Sequence, residues 1–375
     1  MTTTAAEWLD RIRQLPLREE VRVLNVCGGH ERTLAQSGLR SALPATVKII
    51  PGPGCPVCIC PEEDVYDAIQ LALTQPVILV AFGDMLRVPV SVPKSQVRSL
   101  EQAKAAGADV RPLAAPGQAL EIARDNPLKT VVFFVAGFET TLAPVSAMIQ
   151  QGVPDNLLFL ISGRLTWPAV AMLLDSEDVG FEALVAPGHV ATVMGSDEWQ
   201  FVVRDHGMPA AIGGFKPETL LAALYSALRQ RIEGRAFLDN CYAESVKPAG
   251  NPIARHCLDQ TFEVADANWR GIGVIARSGF RLRPALSHLD VRRKFDLGSA
   301  DRSAHAEMPP GCDCARVILG KVLPNDCYLY GRACTPRTPI GPCMVSDEGA
   351  CHVWWSAGVR ANPNARPPAI KLTTA

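Results

Sequence analysis

The sequence predicts an α/β protein: two parallel-sheet α/β lobes around a central cleft, followed by a cysteine-rich C-terminal region. Three observations carry this reading. Between about residues 22 and 216, short β-branched runs alternate with longer helical stretches, the pattern of parallel strands covered by helices on both faces. Four unusual short motifs sit where such strands end. Six of the twelve cysteines crowd into residues 312–351.

The strand candidates are residues 21–26, 47–50, 77–82, 130–136, 157–161, 183–186 and 210–212. Helix-like segments lie between them at 63–74, 97–106, 118–126, 142–151, 169–174 and 197–206, and a further helix covers 217–234. A break at Asn126-Pro127 divides the α/β part, giving lobes at 1–126 and 127–240 and a C-terminal region at 241–375. Residues 269–284 read as a strand pair. From Met308 onward Cys, Pro and Gly dominate, too little apolar material to hold together without a staple.

Composition excludes several classes. The 375 residues are 48% hydrophobic and 20% charged, which is globular composition, not disorder. The 37 basic residues against 38 acidic ones leave a net charge of −1, without the basic surplus of a nucleic-acid binder. No apolar run approaches the ~20 residues of a membrane helix, and the start, MTTTAAEWLDRIRQL, has no apolar signal core. A cytoplasmic protein, monomeric on its own, is the expectation. In that compartment twelve thiols do not read as a disulfide framework; clustered cysteines read as metal or redox chemistry.

In open parallel sheets, ligands bind beyond the carboxyl ends of the strands. Four strands run into unusual motifs there: Cys27-Gly28-Gly29-His30-Glu31; the loop from Pro51 to Cys60; Gly137-Phe138-Glu139-Thr140-Thr141; and Pro187-Gly188-His189-Val190. Their coincidence implies a shared cleft. Cys27 sits on a strand-to-helix turn whose N–H dipoles favour thiolate, the form that ligates metal or attacks; a small buried turn residue is the bland alternative. His30 and Glu31 orient a ligand, relay a proton, or simply open a helix. Cys55-Pro56-Val57-Cys58 is a CxxC, suited to a redox dithiol or half a metal site. Glu139, Thr140 and Thr141 open a helix and suit a small anion, or merely cap it. His189 is a ligand, a proton donor or a loop histidine.

The C-terminal spacing Cys312-x14-Cys327-x6-Cys334-x16-Cys351 contains no CxxC knuckle, so neither a zinc ribbon nor a bacterial ferredoxin run is indicated. Four thiolates on this segment suit an iron–sulfur cluster or a zinc ion. Cys314 rivals Cys312 for the first position, and Cys343 reads as a bystander.

Together CGGHE, GPGCPVC, GFETT, PGHV and the closing GCDC…PNDC…GRACTP…GPCMVSDEGAC resemble the HypD family of hydrogenase maturation proteins, over nearly the whole chain and in family order. The terminal spacing also matches that family's cluster motif. The resemblance implies two α/β lobes around a cleft and a third region wrapped about a 4Fe–4S cluster. It implies a scaffold for the Fe(CN)2CO unit of nickel–iron hydrogenases, redox-active and working within a multi-protein complex. A HypC chaperone shares the iron through its own N-terminal cysteine, and HypE delivers cyanide as a thiocyanate. Carried over, Cys27 is the iron ligand, Cys55 and Cys58 are the redox dithiol, and Cys312, Cys327, Cys334 and Cys351 hold the cluster. His30, Glu139, Thr140, Thr141 and His189 line the cleft. The departures are Cys60, a third thiol after the CxxC; Lys216, where an acidic residue is expected after Gly-Gly-Phe; and a divergent tail from Trp354 to Ala375. The competing readings are a free-standing thiol–disulfide oxidoreductase and a zinc-stapled adaptor; neither nucleotide loop, GxGxxG or GxxxxGK[ST], occurs at a strand end.

Overall fold

The computed structural model describes residues 3–297 and 308–366; the end of the divergent tail, 367–375, lies outside them. Among the described residues eleven strands are formed: β1 Val21–Asn25, β2 Val47–Pro51, β3 Val77–Phe82, β4 Val110–Leu113, β5 Thr130–Gly137, β6 Leu157–Arg164, β7 Ala183–Ala186, β8 Ala210–Ile212, β9 Leu238–Asn240, β10 Phe262–Trp269 and β11 Gly273–Leu282. They make two open sheets. The five-stranded sheet has the order β2-β1-β7-β8-β9 and is wholly parallel. The six-stranded sheet has the order β10-β11-β6-β5-β3-β4, in which β3 to β6 are parallel and the β10–β11 hairpin is added antiparallel to β6.

The local sequence explains most of this. In β3 and β5 nearly every residue is buried, as strands with helices on both faces require. Helix Ala5–Arg13 starts at a capping box between Thr4 and Glu7, and helix Pro217–Glu233 has Pro at its first turn and Gly234 in the left-handed region just past its end. Two short strands escape the sequence pattern. β4 (Val-Arg-Pro-Leu) and β9 (Leu-Asp-Asn) carry polar residues because they are sheet edges, where proline and charge are tolerated. The hairpin expected within 269–284 begins earlier. Arg270 cannot be mid-strand: its backbone N–H donates to Ile59 and its fully buried guanidinium bonds Glu62 and the carbonyl of Pro89.

The sheets do not divide at Asn126-Pro127. β1 and β2 join β7 to β9, whereas β3 and β4 join β5 and β6. The chain therefore passes from the first sheet to the second and back, and each sheet takes strands from both sides of that break. Strand pairing is a long-range choice that turn signals do not report. The C-terminal cysteine region packs against the second sheet and shares one apolar core with the CxxC loop. Among the described residues no helix is long and apolar enough to cross a membrane.

Candidate functional site: a thiol-lined cavity and a buried thiol group

The carboxyl ends of strands from both sheets open on one cavity of about 160 Å³. From the first sheet, β1 delivers Cys27, β2 leads to Gly54 and Pro56, and β7 leads to His189; from the second, β5 brings Thr140 and Thr141 and β6 brings Thr166. Cys27 is the residue before helix Gly28–Gln36, and the residues at 138, 165 and 187 precede helices Glu139–Gln150, Thr166–Leu174 and Gly188–Met194. Several helix N-termini thus lie around one space. Among the described residues no lysine or arginine lines it; its acidic side chain is Glu348, from the C-terminal region.

The CxxC loop meets Cys27 through glycine. A Cβ at Gly54 would stand 2.6 Å from the Cα and N of Cys27, and Gly28 N–H donates to the Gly54 carbonyl at 3.2 Å. Only glycine permits this approach. Cys55 and Cys58 follow at once, joined as a disulfide and both buried. The short helix Pro56–Ile59 that carries them packs on helix Cys314–Ile318 and on the turn Pro342–Met344.

Burial pushes the Cys27 thiol up to about 12, and the Glu348 carboxylate adds to this; the N–H groups of His30 and Gly29 pull the other way and lose. The expected thiolate is therefore not the resting form, because a 94% loss of exposure outweighs the helix dipole. A bound cation would reverse the balance.

Thr140, Thr141 and His189 line the cavity. The His189 ring stacks on Phe215 with centroids 3.6 Å apart, and burial lowers its pKa, keeping it neutral. His30 and Glu139 do not reach the cavity; both are fully buried beneath it. His30 has Nδ1 3.0 Å from Asn25 Oδ1 and Nε2 3.0 Å from the Gly213 carbonyl, tying β1 to β8. Glu139 accepts from the Thr166 N–H at 2.7 Å and its hydroxyl at 2.8 Å, so it caps the neighbouring helix and aims Thr166. Burial raises its carboxyl to about 7 although Thr166 opposes this. A carboxyl raised on folding favours the folded state fully below pH 4.5 and loses that contribution as pH rises through 7. At 1.36 kcal/mol per unit the loss is about 3 kcal/mol. Glu139→Gln should remove that slope from urea midpoints measured below pH 4.5 and above pH 7; parallel pH profiles for parent and variant would show the group does not titrate there.

Sequence reasoning missed Thr166, Phe215 and Glu348. The first two follow the ends of β6 and β8, where the strand-end rule had power to find them. Glu348 comes from another part of the chain and left no such signal. Cys60 is fully buried with Sγ 3.4 Å from Ser162 Oγ, outside the cavity.

The second thiol site is built from the tail. Cys314, Cys343 and Cys351 are buried with their sulfurs within 4.8 Å of one another. Cys312 joins them, since Gly341 packs against the sulfurs of both Cys312 and Cys314. Cys327 and Cys334 are separate from that group: Cys327 Sγ lies 3.9 Å from the Gly311 carbonyl, and Cys334 Sγ accepts from Ile340 N–H at 3.3 Å. Cys343, a bystander by spacing, thus belongs to the tightest group, because a turn at Pro342–Met344 folds it inward. Contact with Cys314 and burial hold the Cys312 and Cys343 thiols well above the ordinary range. An all-sulfur donor set in apolar surroundings fits a thiophilic metal centre.

A two-sheet α/β body with a thiol-lined cavity at its strand ends and a second buried thiol group defines a protein of cysteine site chemistry, with no nucleotide loop. The chain belongs to the HypD family of hydrogenase maturation factors: residues 3–358 match the family described as Hydrogenase formation hypA family. The hydrogenase maturation factor HypD of Rhodobacter capsulatus is 39% identical over 342 residues, 90% of this chain and 89% of that one. The factors of the same name from Azotobacter vinelandii and Escherichia coli (strain K12) are each 38% identical, over 91% and 89% of this chain and 90% and 88% of their own.

Proposed function

We propose that this chain is the scaffold on which the Fe(CN)2CO unit of nickel–iron hydrogenases is assembled, in the cytoplasm, as a monomer that joins a HypC-type chaperone and HypE. The observation that supports it most is the cavity itself: one thiol, Cys27, among three threonine side chains and several helix N-termini, directly against the CxxC loop. Iron with cyanide and carbon monoxide is the substrate. A soft thiolate suits that metal, and threonine hydroxyls and backbone N–H groups suit cyanide nitrogens. Cys27 supplies the anchor from this chain, and the chaperone's cysteine supplies the other.

Cyanide arrives bonded to a sulfur of HypE. Breaking that S–C bond takes two electrons, which the reduced Cys55 and Cys58 thiols give up as they close into a disulfide. The products are a HypE thiol, cyanide on iron and one proton, so atoms and charge balance. His189 lines the cavity in which that proton is released. Cys312, Cys327, Cys334 and Cys351 would hold a 4Fe–4S cluster, which would supply one-electron chemistry next to the dithiol. The compact Cys314–Cys343–Cys351 group favours a second reading of the tail, one metal ion held by thiolates. The test is infrared spectroscopy of the anaerobic complex with a HypC-type chaperone. Bands of bound cyanide and carbon monoxide are expected; a complex carrying iron but neither band defeats the scaffold reading.

A further inference from the structure

We propose that Glu348 is the residue that closes the Cys27 cavity over its sulfur, and that its placement depends on the C-terminal thiol group. This rests on the assembly reading only for the identity of what the cavity holds. Glu348 lies on a strap, residues 343–351, whose two end sulfurs both belong to the buried group within 4.8 Å. Between those ends the chain folds tightly on itself. Gly349 N–H donates to the Ser346 carbonyl at 3.0 Å and Glu348 N–H to Ser346 Oγ at 3.2 Å. A Cβ at Gly349 would run into the Cys343 carbonyl.

The strap packs against the helix that follows Cys27. A Cβ at Gly28 would stand 2.7 Å from the Cβ and the carbonyl oxygen of Glu348. Asp347 pairs with Arg32 at 3.0 Å. Just beyond the strap, Trp354 Nε1 donates to the Glu31 carboxylate at 3.2 Å, which also holds Arg40 at 2.6 Å. Displacing Glu348 from the cavity requires the strap to shift, and the strap is held at one end by Cys351, a ligand in either metal reading, and at the other by the buried Cys343. The other polar lining groups come from strand ends and stay where the sheets put them. The tail's thiol group thus governs access to Cys27 mechanically, apart from any electrons it stores.

The experiment follows carbamidomethylation of Cys27 by iodoacetamide in the full anaerobic chain, by mass spectrometry, before and after chelation of bound metal. Metal removal should speed Cys27 labelling about tenfold, the scale of a local opening. Glu348→Ala with metal retained should do the same, and the two together should be no faster than either alone. Glu348→Gln keeps the volume and should label within about twofold of the parent, with circular dichroism reporting that each variant is folded. Equal rates for parent and Glu348→Ala overturn the wall, as does acceleration by Gln equal to that by Ala, since charge would then control the thiol. Labelling indifferent to metal removal, or effects that add, overturns the dependence on the thiol group. A chain purified without metal instead rejects the cluster; Cys351→Ala then replaces chelation, so the two failures remain separate.

Discussion

Cys27→Ala is expected to abolish retention of the iron unit in the complex with a HypC-type chaperone, with the infrared bands of cyanide and carbon monoxide lost. Cys27 is the cysteine that lines the cavity, so alanine leaves no soft donor from this chain. Changing a second-sphere partner already costs 10- to 100-fold in metal affinity, so loss of a direct ligand should cost at least about a hundredfold. The fold should survive, because the change removes one small buried atom at a turn that glycines already shape. Cys27→Ser separates the roles further: a hydroxyl keeps the volume but is a hard donor and should retain little iron. Bands of unchanged position and intensity in Cys27→Ala would remove this residue from the site and leave the thiol–disulfide oxidoreductase reading, which needs only Cys55 and Cys58.

The second large effect is expected in the tail. The anaerobic chain should carry about four irons with a charge-transfer absorption, as one cubane cluster requires. Two ligand sets compete. A single tetrahedral ion with metal–sulfur bonds of about 2.3 Å places its sulfurs about 3.8 Å apart, which the compact Cys314–Cys343–Cys351 group approaches. A cubane needs sulfurs spread more widely. Cys327 and Cys334 stand outside the compact group, so the wider set requires their loops to move inward. Cys327→Ala and Cys334→Ala should therefore strip the iron, and Cys343→Ala should keep it. The reverse pattern, with one zinc per chain lost on changing Cys314 or Cys343, would assign a structural ion to the tail. Cys351→Ala should lose metal under either set, because Cys351 belongs to both.

The placement of individual residues shows how far a linear reading reaches. Cys27, Thr140, Thr141 and His189 were legible because each follows a strand end, and strand ends are visible as a change from a β-branched run to a glycine or proline turn. His30 and Glu139 occupy such turns too, yet their side chains point down into the protein, one bridging to Gly213 and the other capping the helix that starts at Thr166. Sequence position alone does not say which way a side chain on the first turn of a helix faces. The thiol of Cys27 went the same way: the helix N-terminus was foreseen, but burial and Glu348, which set its protonation, depend on packing.

By itself the sequence determined the α/β class, seven of the strands, the motifs at their carboxyl ends and the family, since all of these are written in short contiguous stretches. Only the tertiary structure decided that β1 and β2 pair with β7 to β9, that Cys343 turns inward, and that a tail residue, Glu348, walls a cavity begun at Cys27. The reason is physical: local runs fix backbone conformation, whereas pairing order and close approach are settled by which surfaces bury one another across hundreds of residues.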